Sequence, residues 1–540
     1  MNKKILLLTA FLIMLISGFP DPGHLLAEVK KEFLPDYAGK SPEKATVSVD
    51  LGQRSVAISP LIYGQFIEFL GRCIDGGIYE EGSPLSGMNG FRKDVLQSVK
   101  ELKPTIIRFP GGTVTKIYHW EDGTGEKNKR PVRKNLIWGG VIDNHFGTAE
   151  FIEYCREIGA EPFLVINMAT GTPEEASNWV EYCNGTGKTF YANLRRSHGY
   201  EKPFNVRYWG IGNEEGAIPD AGKDQKVSKY IEDGWQFVKL MKLQDPSIKI
   251  TLDGNPADLN WGRKIMAEMG PVCDFLSVHF YAMPSDSTYN SLLQNVENFN
   301  QSLDSMRAII QTVSEQVKGF SQWYRFPPRQ NPVKLAVDEW GIWNMSSGKG
   351  TGTYKLEYPY NWADALAVGK FLNLFQRNSD IIGLATWAQS VNVLAPIMTN
   401  REGSFCQTVY TPLEAFRRYS LENHLPIGVT SPLLNDNLKS IDATATISAD
   451  GEELVISLLN LSVNEAISTR VRFNLPAKNS QMQFLEHISY TAPSLGSTNN
   501  FGKNCVNETK TIHHQNSDSG FEITVPPASI NFLRFKIKTK

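Results

Sequence analysis

Between about residue 60 and residue 390 the chain alternates short apolar runs with longer amphipathic segments. The runs occupy residues 62–69, 105–109, 162–168, 206–213, 249–253, 275–281, 333–340 and 382–387. Most are continuous rather than alternating in polarity, the pattern of parallel strands buried on both faces. The segments between them, at 90–102, 149–158, 173–183, 224–241, 259–269, 291–317 and 361–377, have helical length or periodicity. Eight strands with intervening helices predict a closed (β/α)8 TIM barrel over residues 60–425 rather than an open sheet.

Beyond about residue 425 the period changes to that of short strands, at 443–448, 453–460, 467–473, 521–525 and 530–537, separated by turns such as Ala449-Asp450-Gly451. This predicts a C-terminal β-sandwich domain over residues 426–540. Residues 45–58 also alternate, and are expected to add a strand to that sandwich from the other end of the chain. The stretch 494–519, rich in Ser, Asn and Gly, is expected to be a mobile loop.

Composition narrows the function. Of 540 residues 41% are hydrophobic and 21% charged, and 55 Lys plus Arg against 57 Asp plus Glu leave a net charge of −2. Such a chain is globular and lacks the basic footprint that nucleic-acid partners require. Lys3 and Lys4 precede an apolar run over residues 5–19, too short for a spanning helix. The run reads as a signal peptide over residues 1–27, with an uncleaved anchor as the alternative, so a secreted or periplasmic protein free of the membrane is expected. The six cysteines show no paired spacing, which argues against a disulfide scaffold and a zinc site while leaving room for one or two bridges. No GxxxxGK[ST], HExxH or GxSxG motif occurs, and in the sequence Gly210-Ile211-Gly212 the third glycine of a dinucleotide fingerprint is replaced by Glu215. No metal and no cofactor is expected.

In a barrel of this kind the active site lies where the strands end. The fourth run ends in Trp209-Gly210-Ile211-Gly212-Asn213-Glu214 and the seventh in Val337-Asp338-Glu339-Trp340. A carboxylate that closes a buried apolar run is costly unless it is paired or functional. Glu214 and Glu339 together offer what retaining glycosidases use, an acid/base and a nucleophile set about 5–5.5 Å apart. Asn213 is positioned to turn its amide toward a sugar hydroxyl. Asp338, next to Glu339, is expected on the opposite face in a structural role. Glu68, Arg108, His279, Tyr281, Gln389 and Asn392 stand at or after other strand ends. Arg108 has two readings, a core ion-pair partner or a substrate contact. Tyr281 likewise either donates to Glu339 or packs, and Trp340, Trp343 and Trp387 offer flat walls for sugar rings.

The stretches YGQFIEFLGR (63–72), GGIYEEGSP (76–84), GFRKDV (90–95), IRFPGG (107–112), YHWEDGTG (118–125), EYCN (181–184), YWGIGNE (208–214), DEW (338–340) and VNVLAPI (391–397) resemble glycoside hydrolase family 51, the α-L-arabinofuranosidases. The closing PPASINFLRF is similar to the family's last sandwich strand. The resemblance implies that Glu214 is the acid/base and Glu339 the nucleophile. It places Glu68, Arg108, Asn213, Tyr281, Trp343 and Gln389 around the reacting sugar, and implies a homo-oligomer. Two positions depart from it: Phe69 where the family usually has His, and Thr113, a candidate substrate-binding position, where it often has Asn. The segment 215–220 also lacks a Trp common in bacterial members. The expected activity is release of terminal α-L-arabinofuranosyl residues from plant polysaccharides or oligosaccharides. An endo-β-glucanase or xylan-active enzyme on the same fold is the alternative. A noncatalytic carbohydrate-binding protein would be expected to lack one of the two glutamates, and both are present.

Overall fold

The computed structural model of the chain describes residues 44–216, 226–255, 257–311, 326–435, 437–475 and 480–539. The signal-peptide segment 1–27 lies outside the described residues, as do the ends of the expected helices at 224–241 and 291–317.

Eight parallel strands close into a barrel in chain order: Gly64–Phe66, Ile106–Phe109, Glu161–Ile166, Tyr208–Ile211, Lys249–Leu252, Phe275–Ala282, Lys334–Ile342 and Ile382–Ala388. The fold class read from the apolar runs is therefore the observed one. Local chemistry sets the helices between them. The helix Pro173–Asn184 has Pro173 in its first turn, and Thr172 accepts the backbone N–H of Glu175 at 3.1 Å. The helix Trp362–Arg377 opens with a reciprocal box, Asn361 accepting from the Asp364 N–H at 3.1 Å and Asp364 accepting from the Asn361 N–H at 2.9 Å.

Two sheets form the sandwich. One orders Ile427–Thr430, Ala45–Asp50, Ile467–Asn474 and Gly520–Val525, so that Ala45–Asp50 pairs antiparallel with the first and parallel with the third. The other runs Val56–Ala57, Asn423–Leu425, Ile441–Ile447, Glu453–Asn460, Ser529–Thr539, Ser480–Thr491 and Asn507–Ser517. Inner-face residues such as Val47, Ile456, Val471, Phe484 and Phe535 form their shared core. The expected mobile loop 494–519 is corrected here, because Asn507–Ser517 is an ordered edge strand paired with Ser480–Thr491. It has no buried residue, so no alternation of polarity marks it in the sequence.

The helix Trp362–Arg377 fixes the sandwich to the barrel. Trp362 donates its indole N–H to the Ala528 carbonyl at 2.7 Å. Asp442 accepts from Arg377 at 3.0 Å and from Asn373 at 2.7 Å, with Lys370 at 3.6 Å. Burial pushes the Asp442 carboxyl up, and Arg377 and Lys370 outweigh it and hold it below the ordinary carboxylate value. Its contribution is thus present at neutral pH and lost as pH falls through the depressed folded value. Asp442→Ala leaves two cations without this partner and is expected to lower stability by about 3 kcal/mol, read as a lower urea midpoint at unchanged slope.

Candidate active site

Arg108, at the end of the second strand, is 1% exposed and organises the floor of the site. It donates to Glu339 Oε1 at 2.8 Å and to Asn213 Oδ1 at 2.7 Å, and its Nε lies 3.3 Å from Asp338. Its guanidinium sits 5.0 Å over the Phe66 ring. Arg108 is thus a buried ion-pair partner of Asp338 and Glu339. Tyr281 also takes its polar reading, donating its hydroxyl to Glu339 Oε2 at 2.8 Å. Both oxygens of Glu339 thereby receive a donor, which fixes the carboxylate plane.

Asp338 does not face away from this cluster. It accepts the Ser277 hydroxyl at 2.5 Å and lies near both Arg108 and His279. The reason is a bulge. Against the sixth strand the register jumps from Ser277↔Ala336 to His279↔Glu339, and against the eighth from Val337↔Ala385 to Trp340↔Trp387. Residues on a bulge escape strict alternation, so the adjacent acids share one side of the strand. Burial pushes Asp338 up, but Arg108 and His279 hold it below the usual carboxylate value.

Glu214 approaches from the fourth strand. His279 Nδ1 lies 2.9 Å from its Oε1 and 3.6 Å from Glu339 Oε2, and His279 Nε2 lies 3.5 Å from Asp338. Burial alone would depress the imidazole. The Glu339 charge and the bonds to Asp338 and Glu214 outweigh it and hold His279 well above its ordinary value. Burial likewise pushes Glu214 up, and the His279 contact, with Lys116 and Arg108 nearby, leaves it below the carboxylate norm. The Glu214 side chain is 22% exposed and that of Glu339 only 9%, so Glu214 stands at the mouth and Glu339 at the floor.

Around the pair, Glu68 is 3% exposed and receives Trp138 Nε1 at 2.9 Å, Gln389 Nε2 at 2.9 Å and the Val114 N–H at 3.2 Å. Burial and the neighbouring Glu339 raise its carboxyl to about 7. The backbone at Gly111 and Gly112 lies against both acids: a Cβ would meet the Glu68 side chain at 2.2 Å or Glu339 Oε1 at 2.8 Å. Thr113 follows in a short 3-10 turn, buried. Trp343 sits edge-on to Tyr281 with ring centroids 5.7 Å apart. Asn392 lies further out, donating to the Arg72 carbonyl and Thr399, and Trp340 and Trp387 pack on each other in the core. Phe69 packs in the hydrophobic core, stacked on Tyr118 and edge-on to Phe109. Two buried polar atoms in the cluster, Asn213 Nδ2 and Gln389 Oε1, have no partner among the described residues. Such groups are costly unless a ligand completes them.

Sequence reasoning missed Trp138, Lys116, Asp253 and Glu215. Trp138 lies in the long connection after the second strand, whose length was the available signal. Lys116 is 2% exposed, and its Nζ lies 3.5 Å from the Glu214 carbonyl.

One carboxylate oxygen each of Glu214 and Glu339 and a ring nitrogen of His279 lie within 4.8 Å of one another, the arrangement that among the described residues could best share a cation. A cation placed there would compete with the proton that the surrounding acids favour on His279.

Paired acids at the ends of the fourth and seventh strands of a (β/α)8 barrel, with unpartnered polar groups in the surrounding cluster, mark a glycoside hydrolase. Residues 98–302 match the family description "Alpha-L-arabinofuranosidase 1 domain" and residues 338–529 "Alpha-L-arabinofuranosidase C-terminal domain". The chain belongs to the α-L-arabinofuranosidases of glycoside hydrolase family 51. It is 39% identical over 444 residues to alpha-L-arabinofuranosidase C of Emericella nidulans, covering 79% of this chain and 87% of that one. It is 30% identical over 516 residues to the intracellular exo-alpha-(1->5)-L-arabinofuranosidase 1 of Bacillus subtilis, covering 92% and 99%. The structure of the Thermotoga maritima alpha-L-arabinofuranosidase in complex with arabinose is similar at a TM-score of 0.81 and 37% identity, covering 91% and 100%.

Proposed function

We propose that the protein releases terminal α-L-arabinofuranosyl residues from plant polysaccharides or their fragments by double displacement, with Glu339 as nucleophile and Glu214 as acid/base. The observation that carries this reading is the closeness of the two carboxylates, one oxygen of each lying within 4.8 Å of the other. Inverting enzymes need about 6.5–9.5 Å between the acids to admit a water.

In the first step Glu339 attacks the anomeric carbon while the departing oxygen takes a proton from the Glu214–His279 pair. In the free site that proton is shared within the pair, His279 Nδ1 lying 2.9 Å from Glu214 Oε1. Once Glu339 is esterified its charge is gone, and with it the strongest attraction that holds a proton on His279. Glu214 then acts as base toward the incoming water. Asn213 Nδ2 and Gln389 Oε1 meet sugar hydroxyls, and Arg108 holds Glu339 and Asn213 in register. Glu68, Thr113, Tyr281 and Trp343 complete the wall of the sugar pocket.

We further propose that residues 1–27 direct export and that the working enzyme is a homo-oligomer, as the family resemblance implies. Among the described residues no helix is long and apolar enough to cross a membrane, and the six cysteines are unpaired. Turnover of 4-nitrophenyl α-L-arabinofuranoside, measured against the β-xyloside and soluble cellulose, tests the substrate class. The arabinofuranoside is expected to dominate; dominant xyloside or glucan hydrolysis would favour the alternative enzyme.

A further inference from the structure

The backbone that presents Glu214 is an unusual one. Gly212 has φ +75° and Glu214 φ +48°, a left-handed conformation that a glutamate adopts only when its surroundings impose it. Four contacts impose it here. Tyr230 donates its hydroxyl to the Ile211 carbonyl at 2.9 Å, and the Glu215 carboxylate accepts the Asn213 N–H at 3.3 Å. Lys116 reaches the Glu214 carbonyl, and Asp253 Oδ2 accepts the Glu215 N–H at 2.6 Å. Asp253 stands directly after the fifth barrel strand and is 4% exposed. It is itself locked, its N–H donating to the Tyr230 hydroxyl at 2.7 Å and its carbonyl accepting the Trp261 indole N–H at 2.9 Å. Tyr230 thus joins the end of the fourth strand to the end of the fifth, and Asp253 closes the loop onto the residue after the acid/base.

We infer that Asp253 is a positioning residue for this reaction, holding the Glu214 turn in its left-handed form so that the Glu214 carboxyl faces the departing oxygen. Asp253 is buried beside the acids Glu214 and Glu215 as well as His279, and an apolar residue would fill the space without the cost of burying a carboxyl. Its acceptor oxygen is the feature that the turn uses. The inference rests on Glu214 being the acid/base, and the experiment separates the two claims.

Wild type, Glu214→Ala, Asp253→Ala, Asp253→Asn and Tyr230→Phe are compared in kcat/KM on 2,4-dinitrophenyl and methyl α-L-arabinofuranosides. The methyl leaving group needs protonation and the dinitrophenyl group does not. If Glu214→Ala shows no leaving-group dependence, the acid/base reading itself fails. If it does, Asp253→Ala is expected to lose about 10- to 100-fold on the methyl glycoside and less than about threefold on the activated one. Asn keeps an oxygen acceptor for the Glu215 N–H, so Asp253→Asn should recover most of the loss. Equal losses on both substrates, no loss, or an Asp253→Asn as impaired as Asp253→Ala would overturn the inference. Should Asp253→Ala fail to fold, Tyr230→Phe decides the matter: a loss confined to the methyl glycoside supports the clamp, and a uniform loss or none refutes it.

Discussion

Glu339→Ala is expected to reduce turnover of every arabinofuranoside by about five orders of magnitude or more, because the group that forms the covalent intermediate is gone. The fold should survive, since Arg108 keeps Asn213 and Asp338 as partners. Azide is small enough to fill the vacated space at the floor of the pocket and should attack the anomeric carbon from that face. The product is then the β-L-arabinofuranosyl azide, of inverted configuration, formed fastest from substrates with activated leaving groups. Recovery of the α-azide, or residual activity within about a hundredfold of wild type, would remove Glu339 from the nucleophile's role.

Glu214→Ala is expected to behave differently on the same substrates. In kcat/KM, which reports the glycosylation step, it should lose about 1000-fold on alkyl glycosides and about tenfold or less on dinitrophenyl ones. The side chain stands at the mouth of the pocket, where azide can enter from the leaving-group side during the second step. The azide product of this variant should therefore keep the α configuration. A loss of equal size across leaving groups would show that Glu214 serves the fold or the binding of sugar rather than proton transfer.

The barrel is legible in the sequence because its strands are buried on both faces and read as unbroken apolar runs. A carboxylate at the end of such a run is conspicuous, and Glu214 and Glu339 stand out for that reason. Strict alternation misplaces Asp338 because the strand carries a bulge there, and a bulge is set by pairing with Ser277–His279 and Ala385–Trp387, far away in the chain. The edge strand Asn507–Ser517 reads as a loop because it buries nothing and is held by backbone pairing to one neighbour. Asp253 closes the fifth apolar run and carries the same signal as Glu214 and Glu339, but its role is legible only from the fold. Tyr230 carries no such signal, and only the fold brings the two to the turn that holds Glu214.

The central claim is that two carboxylates act in succession to replace the leaving group on the same face of the sugar. The most direct test is proton NMR of the product formed by the wild-type enzyme from an aryl α-L-arabinofuranoside in water containing methanol. A covalent intermediate on Glu339, opened by methanol from the Glu214 side, predicts methyl α-L-arabinofuranoside, the anomer of the substrate. Formation of the β-anomer would contradict the account, because it requires a single displacement in which Glu339 never bonds to the sugar.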